Sequence, residues 1–266
     1  MFIIGEKINA TRKGIDAAIK GKDVSYIQEV ARAQEQAGAH ALDVNCGTVP
    51  ASEEPEAMRW LVKIVQEATE LPLCIDSANA EALAAGLAEH RGKPLINSIS
   101  GETNRYSSVL PLVKQFNAGI VALCNDDRGL PSTKEMALEV GDSLINRLIK
   151  DGVPVEDIYL DPLVRTLATS PETVVDTLEV IRELSRRFPG LHFVSGLSNV
   201  SYGLPERRHL NRAFVVMSVA YGLDAVITDP LDAQLIALIY ASEALVNKDR
   251  FCMNYIGAYN SGKLKV

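Results

Sequence analysis

Phe2-Ile3-Ile4-Gly5-Glu6-Lys7-Ile8-Asn9 opens the chain, and its reading decides the fold. A short apolar run, Phe2–Ile4, is followed by one glycine and a charged pair. In a doubly wound open sheet this place holds a glycine-rich turn that wraps a phosphate and leads into a helix. Gly5-Glu6-Lys7 does not supply such a turn, so the competing architecture, a closed parallel barrel, is expected. The rest of the chain agrees. Further apolar runs stand at Ala41–Val44, Leu73–Ile75, Leu95–Ile96, Ile120–Leu123, Ile158–Leu160, His192–Val194 and Ala225–Ile227. They are nearly continuous in apolar character, as parallel strands buried on both faces are. Helical patterns separate them. Strand and helix alternating eight times predict an α/β fold, a (β/α)8 TIM barrel. The length of 266 residues suits a single domain spanning residues 1–266, since one such barrel takes about 250 residues.

Several helix starts are legible. Ser132-Thr133-Lys134-Glu135 reads as a capping box. Ser170-Pro171-Glu172 reads as an N-cap with proline in the first helical position. Val174, Leu178, Ile181 and Leu184 then recur at helical spacing, and Asp232 opens the last long helix. Asn254–Val266 reads as a polar tail or an oligomer contact.

The formal net charge of -7 disfavours nucleic acid and anionic membranes as partners. Cys46, Cys74, Cys124 and Cys252 contain no C-x2-C pair; the three beside apolar runs, Cys46, Cys74 and Cys124, read as reduced core or near-core thiols, with Cys46 placed to line a pocket. The N-terminus lacks the pattern of a signal peptide, and no apolar run approaches the length of a membrane span, so a cytoplasmic protein is expected.

The residues closing each strand carry the functional signal. They are Glu6, Asn45, Asp76, Asn97, Asn125, Asp161, Ser198 with Asn199, and Asp229. TIM-barrel active sites lie on this rim, although the same residue types also serve as caps and turn formers. His40 and His90 read as surface residues at helix ends and His192 as a strand start; no histidine has metal-ligand spacing, so no metal site is expected. No Ser-His-Asp set and no lysine inside a strand is available for nucleophilic chemistry. Carboxylates and amides on a rim suit a neutral ligand rich in N–H donors. A pterin is one, because its 2-amino group and N3–H match the two oxygens of a carboxylate.

Asp76 in LPLCIDSAN, Asn97 in KPLINSISGE, Asp161 in IYLDPLV and Asn199 in GLSNVSYGLPERRHLNRAF resemble the folate-site motifs of the pterin-binding methyltransferases that act on methyltetrahydrofolate and corrinoid proteins. The likeness runs from IIGEKIN to AVITDP. It implies methyl transfer, in either direction, between N5 of tetrahydrofolate and a cobalt carried by a separate corrinoid protein. It further implies that Asp76, Asn97 and Asp161 hold the pterin, that Asn199 is the catalytic amide near N5, and that Glu6, Asn45, Ser198 and Arg207 complete the polar shell. Tyr202 is expected as lining, since relatives carry other polar side chains there. The D-x-H-x-x-G pattern of corrinoid binding is absent from the sequence. A homodimer is expected, because FVVMSVAYGL and LIALIYASEALV are apolar over wide faces. Two alternatives stay open. One is a dihydropteroate synthase-like enzyme, although DVNCGTVPAS lacks that family's arginine and AVITDPLDAQL lacks its R-x-H. The other is a folate-binding barrel without chemistry, which turnover with a methylated corrinoid protein would separate.

Overall fold

The computed structural model describes residues 1–265. Eight parallel strands follow one another around a barrel: β1 (Phe2–Asn9), β2 (Ala41–Asn45), β3 (Leu73–Asp76), β4 (Leu95–Ser100), β5 (Gly119–Leu123), β6 (Ile158–Asp161), β7 (His192–Phe193) and β8 (Ala225–Thr228). β1 pairs with both β2 and β8. The seam between β7 and β8 is closed by a bridge, Gly196 to Ile227, in which the Ile227 N–H donates to the Ser195 carbonyl at 3.0 Å, and by the Asp224 N–H, which donates to the Phe193 carbonyl at 3.3 Å. Outside lie α1 (Lys13–Gly21), α2 (Val24–Gln36), α3 (Glu54–Gln66), α4 (Ala80–Glu89), α5 (Thr103–Phe116), α6 (Lys134–Lys150), α7 (Thr173–Arg187), α8 (Arg207–Tyr221), α9 (Ala233–Leu245) and α10 (Met253–Asn260).

Period-two alternation explains the continuous apolar runs. Leu42, Val44, Leu73, Ile75 and Ile96 face the helices within one large core. Ile4, Ala41, Cys74, Leu95, Val121, Val194 and Ala225 form a second cluster inside the barrel, with Phe2 and Tyr159 packed against it. Two residues further along, the inward positions become Asp76, Asn97 and Asp161, and β2 reaches Asn45 four residues beyond Ala41. The polar rim is therefore the top layer of the stack whose lower layers are an apolar plug.

Several local expectations are corrected. β1 runs on to Asn9, with a shift in register between Gly5 and Ile8, so that Lys7, against expectation, lies inside a strand, where it pairs with Asp229. The cause of the shift is Gln34 of α2, whose Oε1 accepts from the Lys7 N–H at 3.0 Å and would lie 2.4 Å from a Cβ at residue 5. Only glycine admits that approach, and the side chain replaces the lost ladder bond. α6 is capped by Thr133, which accepts from the Met136 N–H, and not by Ser132. α7 starts at Thr173, because Ser170-Pro171-Glu172 belong to a preceding turn in which the Thr173 N–H meets the Ser170 carbonyl. Asp232 does cap α9, accepting from the Leu235 N–H at 3.1 Å. Most of the expected tail is α10, packed on α9; Val266 lies outside the described residues. His40 and His90 are more than surface residues: their ring nitrogens accept the N–H groups that open β1 and β3, from Ile3 at 3.1 Å and Leu73 at 3.0 Å. Cys46 does not line a pocket. It is buried, its thiol 3.8 Å from the Glu54 carbonyl, and burial pushes its pKa up to about 12. Among the described residues no helix is long and apolar enough to cross a membrane.

Candidate active site at the barrel rim

Asn45, Asp76 and Asn97 are register partners across β2, β3 and β4, so the three side chains form one row on the rim. Asn45 is fixed from both ends. Its Oδ1 accepts from the Gly47 N–H at 3.0 Å, and its Nδ2 donates to Asp76 Oδ2 at 2.9 Å. Asn97 Nδ2 donates downward to Asp43 Oδ1 at 3.2 Å. Asp161 closes β6 and accepts from the backbone N–H groups of Leu163, at 2.8 Å, and Gly196. Burial pushes the Asp76 carboxyl up to about 6, against the opposing pull of the Asn45 hydrogen bond and the Arg105 charge. Burial likewise pushes Asp161 up to about 6, against its two backbone donors. Both carboxyls thus change charge near neutrality, a property concentrated at functional sites.

Across the mouth, Ser198 Oγ donates to Glu6 at 3.4 Å and Arg12 pairs with Glu6 at 2.8 Å. Burial raises the Glu6 pKa, and Arg12 draws it back. Glu6, Ser198 and Arg207 line a cleft of about 520 Å³ that extends between α8 and α9. This cleft does not include Asp76, Asn97 or Asp161, so it adjoins the row rather than containing it. Of its cations, Lys7 pairs with Asp229 at 3.0 Å and Arg212 with Asp232 at 2.7 Å, whereas Arg208 has no ion pair among the described residues. Arg207 sits on the cleft wall, but its guanidinium is directed at the short 3-10 turn Leu197–Ser201, donating to the Ser198 carbonyl at 2.6 Å and to Ser201 Oγ at 3.1 Å. Tyr202 is 69% exposed, with its ring centroid 5.8 Å from the Arg207 guanidinium carbon.

Asn199 lies in the same turn and is exposed. Among the described residues its side-chain amide has no hydrogen-bond partner. It lies over Gly196, where an added Cβ would be 3.3 Å from Nδ2. The backbone of Gly196 therefore links Asp161 beneath it to Asn199 above it, and the amide is free to rotate. Among the described residues no group of three or more His, Cys, Asp or Glu side chains is placed to hold a metal.

Two supports of the row lie away from strand ends, where strand-end reading could not find them. Arg105 of α5 donates to the carbonyls of Ser98, Ala78 and Ser77 at 2.8, 2.7 and 2.7 Å, bracing the loops after β3 and β4. The nearly buried Glu54 of α3 accepts from Ser77 Oγ at 2.5 Å. A third, Asp43, carried a signal: an acid inside the apolar run Ala41–Val44.

The profile of the pterin binding enzyme family matches residues 5–229, a span that holds every rim residue from Glu6 to Asp229. A methylcorrinoid:tetrahydrofolate methyltransferase from Eubacterium limosum is 36% identical over 266 residues, covering 99% of this chain and 98% of the relative. Methionine synthase from Mycobacterium tuberculosis is 32% identical over 240 residues, 85% of this chain but 20% of that much longer protein. Among solved structures, a dihydropteroate synthase from Xanthomonas albilineans in complex with 7,8-dihydropteroate superposes with a TM-score of 0.67 at 18% identity, over 91% of this chain and 92% of that one, a likeness of fold. A family profile over most of the chain and a relative aligned from end to end place this protein in the pterin-binding enzyme family.

Proposed function

We propose that this chain moves a methyl group between the cobalt of a separate corrinoid protein and N5 of tetrahydrofolate. The observation that carries the reading is the row Asn45–Asp76–Asn97 with Asp161 on the same rim: an acceptor-rich floor for a ring edged with N–H donors, open to a large second substrate. The end-to-end likeness to the E. limosum enzyme supports it. Asp76, Asn97 and Asp161 hold the pterin. Asn45 keeps Asp76 in place, Glu6, Ser198 and Arg207 shape the opposite wall, and Tyr202 stands exposed beside Arg207. Toward folate, the methyl carbon leaves cobalt without the bonding electrons, forms a bond to N5, and the N5 proton departs. In reverse, N5 must gain a proton before the methyl leaves, or the amine would depart as an anion. Both directions pass through the same charged N5. Asn199, with a rotatable amide and no competing partner, turns its Oδ1 to that N5–H as charge develops.

A pyrophosphate-releasing synthase would need several free cations near the ring, whereas Lys7 and Arg212 are paired with acids, Arg207 is directed at the Leu197–Ser201 turn, and Arg208 lines the cleft without an ion pair among the described residues. The test is a single turnover of methylcobalamin or a methylated corrinoid protein with tetrahydrofolate, followed by cobalt absorbance. Transfer above the uncatalysed rate is expected. Tight folate binding without transfer would leave a non-catalytic barrel.

We further propose that residues 1–266 act as one domain and as a homodimer. Leu245, Phe251, Met253, Ile256 and Tyr259 are exposed together on α9, α10 and the turn between them, an apolar surface of the kind a partner covers. Light scattering at micromolar concentration should give twice the chain mass; a monomer mass would refute the dimer. A cytoplasmic setting fits the buried thiols of Cys46, Cys74 and Cys124.

A further inference from the structure

Asp43 is an acid inside the barrel, one layer below the rim. It is 2% exposed and shares the interior with Ala41, Cys74 and Leu95. An ionisable group in such a place needs a compensating role. Its visible partners are Asn97 Nδ2, at 3.2 Å, and the Cys74 thiol. An amide offers two donors on one end and an acceptor on the other, and only its surroundings decide which end faces where. With Nδ2 drawn down to Asp43, Asn97 is left with Oδ1, which has no partner among the described residues, to present to the mouth.

We propose that Asp43 is a positioning residue: by holding the Asn97 amide from below, it makes Asn97 an acceptor toward the ligand and so tunes the floor to a ring that offers N–H groups. This rests on the pterin reading of the site. Its logic is that Asp76, Asn97 and Asp161 then act alike. Asn45 is occupied by Asp76 and the Gly47 N–H, Asn97 spends a donor on Asp43, and the Asn97 Oδ1 and the oxygens of Asp76 and Asp161 are the acceptors toward the ring. Burial, reinforced by the nearby Asp76 charge, holds the Asp43 pKa well above the usual carboxylate range. The hydrogen bond from Asn97 pulls the other way, toward the ionised, acceptor-only form.

The test is a swap. In Asp43→Asn, residue 43 can donate or accept, so Asn97 loses its fixed orientation. Tetrahydrofolate affinity should fall about tenfold or more while the melting temperature stays near wild type. In the double variant Asp43→Asn/Asn97→Asp, Asn at 43 donates upward and the carboxylate at 97 is an acceptor whichever way it turns. Affinity should return to within about threefold of wild type. If Asp43 only fills space, the double variant should be no better than the single one, and that result overturns the proposal, as does wild-type affinity in Asp43→Asn. Should Asp43→Asn fail to fold, NMR of the wild-type protein with 15N-labelled asparagine decides. One Nδ2 proton of Asn97, identified with Asn97→Asp, should be protected from solvent exchange both before and after tetrahydrofolate is added. Loss of that protection on binding would show that the amide turns over, and the proposal would fall. Absence of tetrahydrofolate binding to the wild-type protein would instead sink the pterin reading itself.

Discussion

Asp161→Asn separates recognition by charge from recognition by shape. Asp161 is 6% exposed and keeps two backbone N–H groups satisfied while facing the rim. The amide is nearly isosteric, but it turns half of an acceptor pair into a donor. Losing a hydrogen bond to a charged group removes roughly 1.5–3 kcal/mol, or about a ten- to 150-fold loss in affinity at pH 7. The pH dependence is sharper still. Burial raises the carboxyl to about 6, so ligand N–H groups, which need the ionised form, compete with a proton below that pH. A group titrating there is roughly 90% ionised at pH 7 and 10% at pH 5, so it weakens binding about tenfold over that interval. The sign is fixed: a raised carboxylate pKa makes binding release a proton, and affinity rises with pH. Asp76, also raised to about 6, adds a similar factor. In Asp161→Asn only the Asp76 factor remains, so the variant's deficit should shrink about tenfold between pH 7 and pH 5. Anaerobic calorimetry with tetrahydrofolate at pH 5, 6 and 7 measures this, and the ligand's own titration cancels in the ratio of wild type to variant. Equal affinity at pH 7, or a deficit constant across pH, would refute the assignment.

Asn199→Ala should bind the pterin nearly normally but slow single-turnover methyl transfer by about ten- to a hundredfold or more, as expected when a charge-assisted hydrogen bond made mainly in the transition state is lost. For transfer from 5-methyltetrahydrofolate to cobalt the defect should grow at high pH, where N5 is harder to protonate; a wild-type rate in stopped-flow absorbance would exclude the role. Gly196→Ala should displace the Asn199 amide, since the new Cβ would lie 3.3 Å from Nδ2. Its backbone is ordinary for alanine, with φ -71°, so the melting temperature should hardly move while methyl transfer slows; an unchanged rate would show that Asn199 does not depend on that seat. Activity should survive EDTA followed by desalting, and a loss that zinc or magnesium reverses would mean that a metal serves the rim.

The rim was readable because the strands are short and their inward positions run in steps of two. Asp76, Asn97 and Asp161 terminate apolar runs, and the register sets the first two side by side with Asn45. Directions of side chains were less readable. Arg207 follows the GLSNVS segment, but sequence spacing does not reveal that the carbonyl of Ser198 and the hydroxyl of Ser201 draw its guanidinium into the turn. The bulge in β1 depends on Gln34, 27 residues away from the N–H it satisfies. His40 and His90 reach strand starts that only the closed barrel brings beside them. Ser170-Pro171-Glu172 has the composition of a helix start, but Thr173 takes the Arg165 N–H with its hydroxyl at 2.9 Å and moves the first turn downstream.

The apolar plug formed by Ile4, Cys74, Leu95, Val121 and their neighbours leaves the barrel stoppered from beneath. Both substrates of the proposed reaction must then use one doorway. The folate ring, which sits against the floor, has to enter first, and the corrinoid protein arrives as a lid that hides it. The lid must lift before the folate product can leave. Such an itinerary calls for a three-body encounter with compulsory order, and it leaves no stage at which the methyl group rests on the protein. Initial-rate plots should consequently intersect rather than run parallel, and the demethylated corrinoid protein should be the first product to depart.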